Sequence, residues 1–85
     1  MDTTGEVDRL IAVIAEEIME VKPADTAPHL NLDDEIAGLG LDSVDTMELL
    51  ARLEDRESAA IPEAALSHLR TIADVIDLIR EYRDQ

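Results

Sequence analysis

Several residue types are scarce or missing in this sequence of 85 residues: it has no cysteine, no phenylalanine, no tryptophan and a single tyrosine. Without cysteine the chain can form neither a disulfide framework nor a four-thiolate zinc site, and any thiol chemistry must come from elsewhere. Without large rings, aliphatic side chains must fill the interior. A hydrophobic content of 46% still allows folding, and the length predicts one small domain over residues 1–85.

Basic residues are also few. Seven Lys and Arg stand against 21 Asp and Glu, which gives a net charge of −14. Such a charge repels nucleic acids and anionic membranes and favours partner proteins with basic patches. The amino terminus has neither a basic nor a long apolar stretch, and no apolar run approaches the length of a membrane span. We therefore expect a soluble, cytoplasmic, monomeric protein.

Apolar residues recur at helical spacing along most of the chain, and no stretch alternates as a strand would. Two capping-box patterns, Thr3 with Glu6 and Thr71 with Asp74, indicate helix starts. Pro62 stands at a first-turn position, where a helix tolerates proline best. We expect three main helices and one short helix, at residues 5–21, 43–57, 61–69 and 71–82.

The connection over residues 22–41 contains two prolines, two glycines and an acidic run, and it is long for so small a domain. Its leucine and isoleucine residues should pin it across the helices, with a single helical turn at residues 34–37. Together these patterns predict an all-α four-helix bundle with a long first loop.

Ser43 stands where a glycine-containing loop meets the start of the second main helix. The free N–H groups and the positive dipole end there favour a negatively charged group, so a phosphodiester on Ser43 would be well placed. The alternative is an ordinary helix start, in which Asp42 is the N-cap, Asp45 is its capping-box partner, and Ser43 only occupies the first turn.

Four sequence motifs follow one another along nearly the whole chain: Leu39-Gly40-x-Asp42-Ser43-Val44-Asp45, Glu48-Leu49, Ile61-Pro62 and Thr71-Ile72-x-Asp74-Val75-Ile76-Asp77-x-Ile79. In these motifs the sequence resembles the acyl carrier proteins of fatty-acid and polyketide synthesis. The resemblance implies an acyl-carrier-like four-helix bundle and a freestanding carrier that is not an enzyme, with no catalytic residue and no metal site.

The same resemblance implies a covalent cofactor, 4′-phosphopantetheine from coenzyme A. A phosphopantetheinyl transferase would attach it to Ser43, beside Asp42, and acyl intermediates of fatty-acid or polyketide biosynthesis would be carried on it as thioesters. The arm would supply the thiol that the chain lacks. Further partners would be ketosynthase, acyltransferase or acyl-ligase enzymes with basic docking patches.

The helix after Ser43 gains two roles from the resemblance. One face would meet basic residues of the partner enzymes through acidic side chains and small apolar contacts: Asp42, Val44, Asp45, Met47, Glu48, Ala51, Glu54, Asp55 and Ile61. The other face would shelter the acyl chain with Thr46, Leu49, Leu50 and Leu53. The simpler alternatives are a solvated acidic surface with an ion pair of Glu48 and Arg52, and a plain core for the leucines.

Two features depart from the family pattern. Glu57 stands four residues before the Ile-Pro pair, where many members carry an aromatic residue. We expect Glu57 to turn outward and the sheltering groove to be altered, because a buried carboxylate is costly. Arg52 and Arg56 interrupt the acidic helix, which suggests a dedicated set of enzymes in a specialised pathway.

Two other functions remain open at this stage. An aminoacyl or peptidyl carrier would use the same serine, although that family usually shows Gly-His-Ser before the helix. An unmodified acidic interaction domain would use the charge for docking alone. A serine hydrolase is disfavoured because His29 and His68 stand in no recognisable arrangement with Ser43. A calcium loop starting at Asp33 would place Val44 at its twelfth position, where an oxygen ligand is required.

Overall fold

The computed structural model describes the backbone of residues 3–83 and the side chains of residues 5–83. Its elements are three α-helices and two short 3₁₀-helices, and no β-strand forms among these residues. The α-helices are α1 (Thr3–Val21), α2 (Ser43–Glu57) and α3 (Ile72–Tyr82), and the 3₁₀-helices span Ile36–Leu39 and Glu63–His68. The predicted all-α class is confirmed. The single turn of the long loop lies two residues later than expected, and the short helix predicted at residues 61–69 is a 3₁₀-helix.

Two capping boxes fix where α2 and α3 begin. At α2, Asp42 Oδ1 accepts the N–H of Asp45 at 2.8 Å, and Asp45 Oδ2 accepts the N–H of Asp42 at 3.4 Å. At α3, Thr71 Oγ1 accepts the N–H of Asp74 at 3.2 Å, and Asp74 Oδ2 accepts the N–H of Thr71 at 3.0 Å. Each box satisfies two backbone donors that a helix start leaves free. The box predicted for residues 3 and 6 involves a side chain outside those described.

The core is aliphatic throughout and lies between the three α-helices. Among the described residues, no polar or charged residue is buried in this core. The side chains that are almost completely enclosed are Leu10, Ile14, Leu49, Leu53, Ile72, Val75 and Ile79. Such a core needs no aromatic ring, because branched aliphatic side chains fill the space between helices well. None of the helices in the described range combines the length and the hydrophobicity that a membrane crossing requires.

The long connection between α1 and α2 is pinned by apolar side chains and by backbone hydrogen bonds to the start of α3. Leu30, Ile36 and Leu41 are buried, whereas Leu32 remains largely exposed. The N–H of Ile36 donates to the carbonyl of Arg70 at 2.9 Å, which ties the loop to the segment before α3. The loop therefore delivers its last residues to the start of α2 in a defined conformation.

Candidate functional site

Ser43 is the first residue of α2, and the loop before it is held by a lysine. Gly40 adopts the left-handed conformation (φ 81°), which a residue without a Cβ adopts at little cost. Lys22, at the end of α1, donates from Nζ to the Gly40 carbonyl at 2.5 Å. Asp42 then caps α2. The chain thus enters the helix through a fixed turn that leaves Ser43 exposed.

The surroundings of Ser43 suit a covalently bound phosphate. Its hydroxyl has no hydrogen-bond partner among residues 3–83, and neither the N–H of Ser43 nor that of Val44 has a backbone acceptor in that range. Both N–H groups lie at the positive end of the α2 dipole, which stabilises a negative charge. Asp42 does not compete for them, because its carboxylate accepts from Asp45. The exposed hydroxyl and the free donors fit a phosphodiester.

A cleft of about 520 Å³ opens beside Ser43. Its volume falls within the range of small-molecule sites in proteins. Most of its lining is aliphatic. The polar groups come from the first part of α2 and its cap, from Glu35 before the first 3₁₀-helix, and from Arg70 after the second. The lining residues are Glu35, Ile36, Ala37, Leu41, Asp42, Ser43, Thr46, Met47, Leu50, Leu66, Leu69 and Arg70.

The predicted acyl-sheltering residues divide into two groups. Thr46 and Leu50 line the cleft beside Ser43. Leu49 and Leu53 lie outside its lining and are 1% and 0% exposed, as members of the central core. Thr46 is only half-buried, and its hydroxyl donates to the Asp42 carbonyl at 2.9 Å. The structure therefore brings only Thr46 and Leu50 of the four into one cavity with Ser43.

Most of the predicted docking residues lie on one exposed face of α2. Val44 and Met47 are 74% and 61% exposed, which is unusual for large apolar side chains. Glu48, Ala51 and Asp55 are exposed with them.

Three of the predicted contact residues are engaged within the protein. Asp45 is held in the capping box of α2. Glu54 accepts the N–H of Ile61 through Oε2 at 3.3 Å. Ile61 itself is 8% exposed, so little of its side chain is available for the contact predicted from the sequence. Ala59 is buried as well, so burial removes both apolar side chains of this segment from water.

The two arginines of α2 face α1. Arg56 donates from Nη2 to Glu16 at 2.8 Å and from Nη1 to Glu17 at 2.9 Å. Arg52 approaches Glu17 at 3.4 Å, and its Nε lies 3.9 Å from Glu48, the i,i+4 pair expected from the sequence. The arginines therefore join α2 to α1, on a side of α2 different from that of Val44 and Met47.

Glu57 turns inward, contrary to the expectation that it would face solvent. Its side chain is 7% exposed. Arg9 donates two hydrogen bonds to it, at 2.9 and 3.1 Å, and Arg83 donates a third at 3.4 Å. These guanidinium groups offset the cost of burying a carboxylate. The hydrogen bond from Arg9 is the main cause that lowers the pKa of Glu57 below its ordinary value.

The ion pairs at Glu57 extend to the start of α1. Glu6 pairs with Arg83 and, at 3.7 Å, with Arg80. The hydrogen bond from Arg83 lowers the pKa of Glu6. We call Glu6, Arg9, Glu57, Arg80 and Arg83 the ion cluster. It connects all three α-helices at the end of α2 opposite to Ser43.

Sequence reasoning missed several residues of the site. Arg70, Glu35 and Leu69 line the cleft, and Lys22 holds the loop before Ser43. The first three lie between regular helices, where hydrophobic periodicity carries no information about neighbours. Lys22 carried one signal, since it is the single lysine of the chain and directly follows α1. His29 and His68 are exposed, and no group of His, Asp and Glu within the described residues is placed to hold a metal ion.

Comparison with known proteins gives a consistent result. The family model described as phosphopantetheine attachment site matches residues 8–79. The meromycolate extension acyl carrier protein of Mycobacterium leprae is 30% identical over 83 residues, covering 98% of this chain and 70% of the relative. The acyl carrier protein of Rickettsia canadensis is 30% identical over 82 residues, covering 95% and 91%.

Solved structures are similar over nearly the whole chain. The crystal structure of the acyl carrier protein from Thermotoga maritima gives a TM-score of 0.82 at 27% identity, covering 91% of this chain and 89% of that one. The solution structure of the acetyl actinorhodin acyl carrier protein from Streptomyces coelicolor gives a TM-score of 0.63 at 30% identity, covering 89% and 87%.

Proposed function

The chain belongs to the phosphopantetheine-attachment family of acyl carrier proteins, and from that membership we propose that it presents acyl thioesters to other proteins from an arm on Ser43. The cofactor of the family is covalently attached 4′-phosphopantetheine. The arm supplies the terminal thiol on which acyl groups of fatty-acid or polyketide synthesis are carried. The cysteine-free chain has no other source of such a thiol.

The exposure of Ser43 at the start of α2, next to the cleft, carries this proposal. The Ser43 hydroxyl would be the nucleophile that a phosphopantetheinyl transferase joins to the phosphate of coenzyme A. The unpaired N–H groups of Ser43 and Val44 would then stabilise the phosphodiester. Asp42 would act indirectly, because its cap keeps the first turn of α2 in place.

We further propose that the face of α2 next to Ser43 is where partner enzymes dock. Val44 and Met47 offer exposed apolar area close to the serine, and Glu48 and Asp55 offer charge to basic patches. Charge complementarity speeds encounter and fixes orientation without requiring slow release. The partners would be the transferase and enzymes of the ketosynthase, acyltransferase or acyl-ligase type.

The cleft beside Ser43 would shelter the start of the acyl chain, with Thr46 and Leu50 among its walls. Leu49 and Leu53 would join it only if a long chain separated the helices of the core. In this proposal the protein catalyses no reaction itself, functions as one carrier domain and works in the cytoplasm. Membership of the carrier family and the acidic, cysteine-free composition support these points.

The test is the intact mass of the protein after incubation with coenzyme A and a promiscuous phosphopantetheinyl transferase. We expect a gain of one phosphopantetheine group in the unaltered chain and in the matched control Ser67→Ala, whose serine donates to Ala64 in the second 3₁₀-helix. Ser43→Ala should remain unmodified. An adduct on Ser43→Ala would mean that the attachment site is wrong. An unmodified wild-type chain beside a modified control carrier would favour the acidic interaction domain.

A further inference from the structure

The cleft beside Ser43 contains a charged side chain that the carrier function leaves unexplained. Arg70 lines this cleft. Every other arginine of residues 3–83 forms an ion pair with a glutamate, as Arg9 does with Glu57. Arg70 forms none within that range. The residue is exposed, so its guanidinium keeps N–H donors within reach of a molecule that enters the cleft.

The backbone of Arg70 is fixed although its side chain is unpaired. Its N–H donates to Asp74 Oδ2 at 3.0 Å, and its carbonyl accepts the N–H of Ile36 at 2.9 Å. Asp74 also accepts the N–H of Thr71, so its carboxylate is committed to capping α3. These backbone hydrogen bonds are the main cause that lowers the pKa of Asp74, and the charge of Arg70 is a smaller one. The residue is thus anchored at the edge of the cleft with its donors free.

The other polar groups of the cleft leave Arg70 as its principal donor for cargo. Thr46 already donates its hydroxyl proton to Asp42, and Asp42 accepts the N–H of Asp45. Ser43 is the attachment point of the arm in the proposed function. Glu35 adds an exposed carboxylate to the same lining. The remaining walls are largely aliphatic, so the cleft combines apolar walls with one unpaired cation.

We propose that Arg70 adapts the cleft to acyl chains that carry a neutral carbonyl oxygen, such as 3-oxoacyl groups, in preference to saturated hydrocarbon chains. This inference rests on the proposed carrier function. Arg70 is exposed, so a saturated chain in the cleft displaces only part of the water around its guanidinium, but it replaces none of those hydrogen bonds, which is unfavourable. A carbonyl oxygen accepts one of them. A carboxylate would also accept, but Glu35 and the net charge of −14 oppose a further negative charge.

The experiment measures how well the cleft protects the thioester of each cargo. The protein is loaded with octanoyl or 3-oxooctanoyl pantetheine from the coenzyme A thioesters by a promiscuous transferase. Cleavage of the thioester by exchange with excess 2-mercaptoethanol, which takes the acyl group and leaves the free thiol of the arm, is followed by intact mass. For each cargo the rate of Arg70→Met is divided by that of the wild type, which removes the intrinsic reactivity of the thioester. We expect the ratio to be about five- to tenfold for the 3-oxo cargo, the effect of one ordinary hydrogen bond, because the exposed guanidinium stays partly hydrated. For octanoyl we expect a ratio of one or less.

Arg80→Met is the matched control, because it removes the same charge from α3 outside the cleft lining. It should leave both ratios near one. The N–H resonances of the Arg70 side chain should also shift on loading with the 3-oxo cargo and not with octanoyl. Equal ratios for the two cargoes, or the same ratios in Arg80→Met, would overturn the proposal. So would dependence on Arg70 for a succinyl cargo alone.

A failure of the proposed function would look different. In that case the transferase would load no cargo onto Ser43, and no thioester would be available for cleavage. Loading at Ser43 followed by identical protection in the wild type and Arg70→Met refutes only the role of Arg70.

Discussion

Replacing Glu57 by glutamine should destabilise the fold strongly, although the two side chains have nearly the same size. The change removes the negative charge that accepts hydrogen bonds from Arg9 and Arg83. Deleting one partner of a fully buried ion pair costs several kcal/mol, but these guanidinium groups remain 50% and 28% exposed. Three charge-assisted hydrogen bonds reach Glu57 and the amide of glutamine keeps one oxygen acceptor, so in this partly hydrated site we expect a loss of about 2 kcal/mol. That loss lowers the thermal midpoint of an 85-residue domain by roughly 10 °C.

The assay is urea and thermal unfolding followed by circular dichroism at neutral pH. The matched control is Glu63→Gln, the same substitution at an exposed glutamate of the second 3₁₀-helix. Glu63 forms no ion pair among the described residues, so its replacement should change stability by less than about 0.5 kcal/mol. Equal midpoints for Glu57→Gln and the control would refute the reasoning. The ion cluster would then contribute nothing to the fold.

Acid titration tests the same cluster without a substitution. The pKa of Glu57 and that of Glu6 are both lowered in the folded protein by their hydrogen bonds to arginine. A carboxylate with a lowered pKa stabilises the fold above its unfolded pKa and loses that contribution as the pH falls through the folded pKa. Wild-type stability should therefore decline below the ordinary glutamate pKa of 4.5. Glu57→Gln should show a shallower decline in that range, and an identical decline would contradict the assignment.

Two further predictions concern the loop and the docking face. Gly40→Ala should lower the free energy of unfolding by about 1 kcal/mol, because φ is +81° there and the new methyl group lies 3.3 Å from the Lys22 amine that holds the loop. Chemical denaturation measures this loss, and an unchanged midpoint would exclude the strain. The double charge reversal Glu48→Lys and Asp55→Lys should slow transfer of the phosphopantetheine arm from coenzyme A to the protein by the transferase, roughly tenfold at low salt and much less at high salt. The control Asp77→Lys with Glu81→Lys, which makes the same charge change on α3, should transfer at nearly the wild-type rate. Equal slowing by both pairs would point to net charge and not to a docking face.

The regular elements could be predicted because their signals are local. The apolar periodicity of α1 and the capping residues Asp42 and Thr71 act within one helix or one turn. The structure places α2 and α3 where those signals indicate. The position of Ser43 at the first turn of α2 follows from the same local pattern. Local chemistry was therefore enough to locate the candidate attachment point.

The cleft and the orientation of Glu57 depend on distant residues and could not be read from spacing. Glu57 turns inward because Arg9 lies 48 positions earlier in the chain and Arg83 lies 26 positions later. Arg70 follows α2 in the sequence, and it lies beside the cleft because its carbonyl accepts the N–H of Ile36, which precedes α2. A carboxylate is expected at the surface unless its partners are known. Sequence periodicity does not identify such partners.

The placement of the arginines changes what the sequence suggested about docking. In the sequence, Arg52 and Arg56 interrupt an acidic helix, and a partner would be expected to meet that mixture of charges. In the structure Arg56 pairs with Glu16 and Glu17 of α1, and Arg52 pairs with Glu17 and, at 3.9 Å, with Glu48 of α2. The side chains of Arg52 and Arg56 remain 42% and 39% exposed, and ion pairs that water reaches contribute modestly to stability.

Their larger consequence is for the charge presented to other proteins. Both arginines pair mainly with α1, and only Arg52 also approaches an acid of the docking face, Glu48, so they leave the face around Met47 and Asp55 acidic. A partner that docks there should therefore respond weakly to Arg52→Gln and Arg56→Gln, and strongly to reversal of the exposed acids. If the arginine variants changed the rate of arm transfer as much as Glu48→Lys with Asp55→Lys does, the enzymes would bind at the boundary between α1 and α2. The docking face proposed around Met47 would then be wrong.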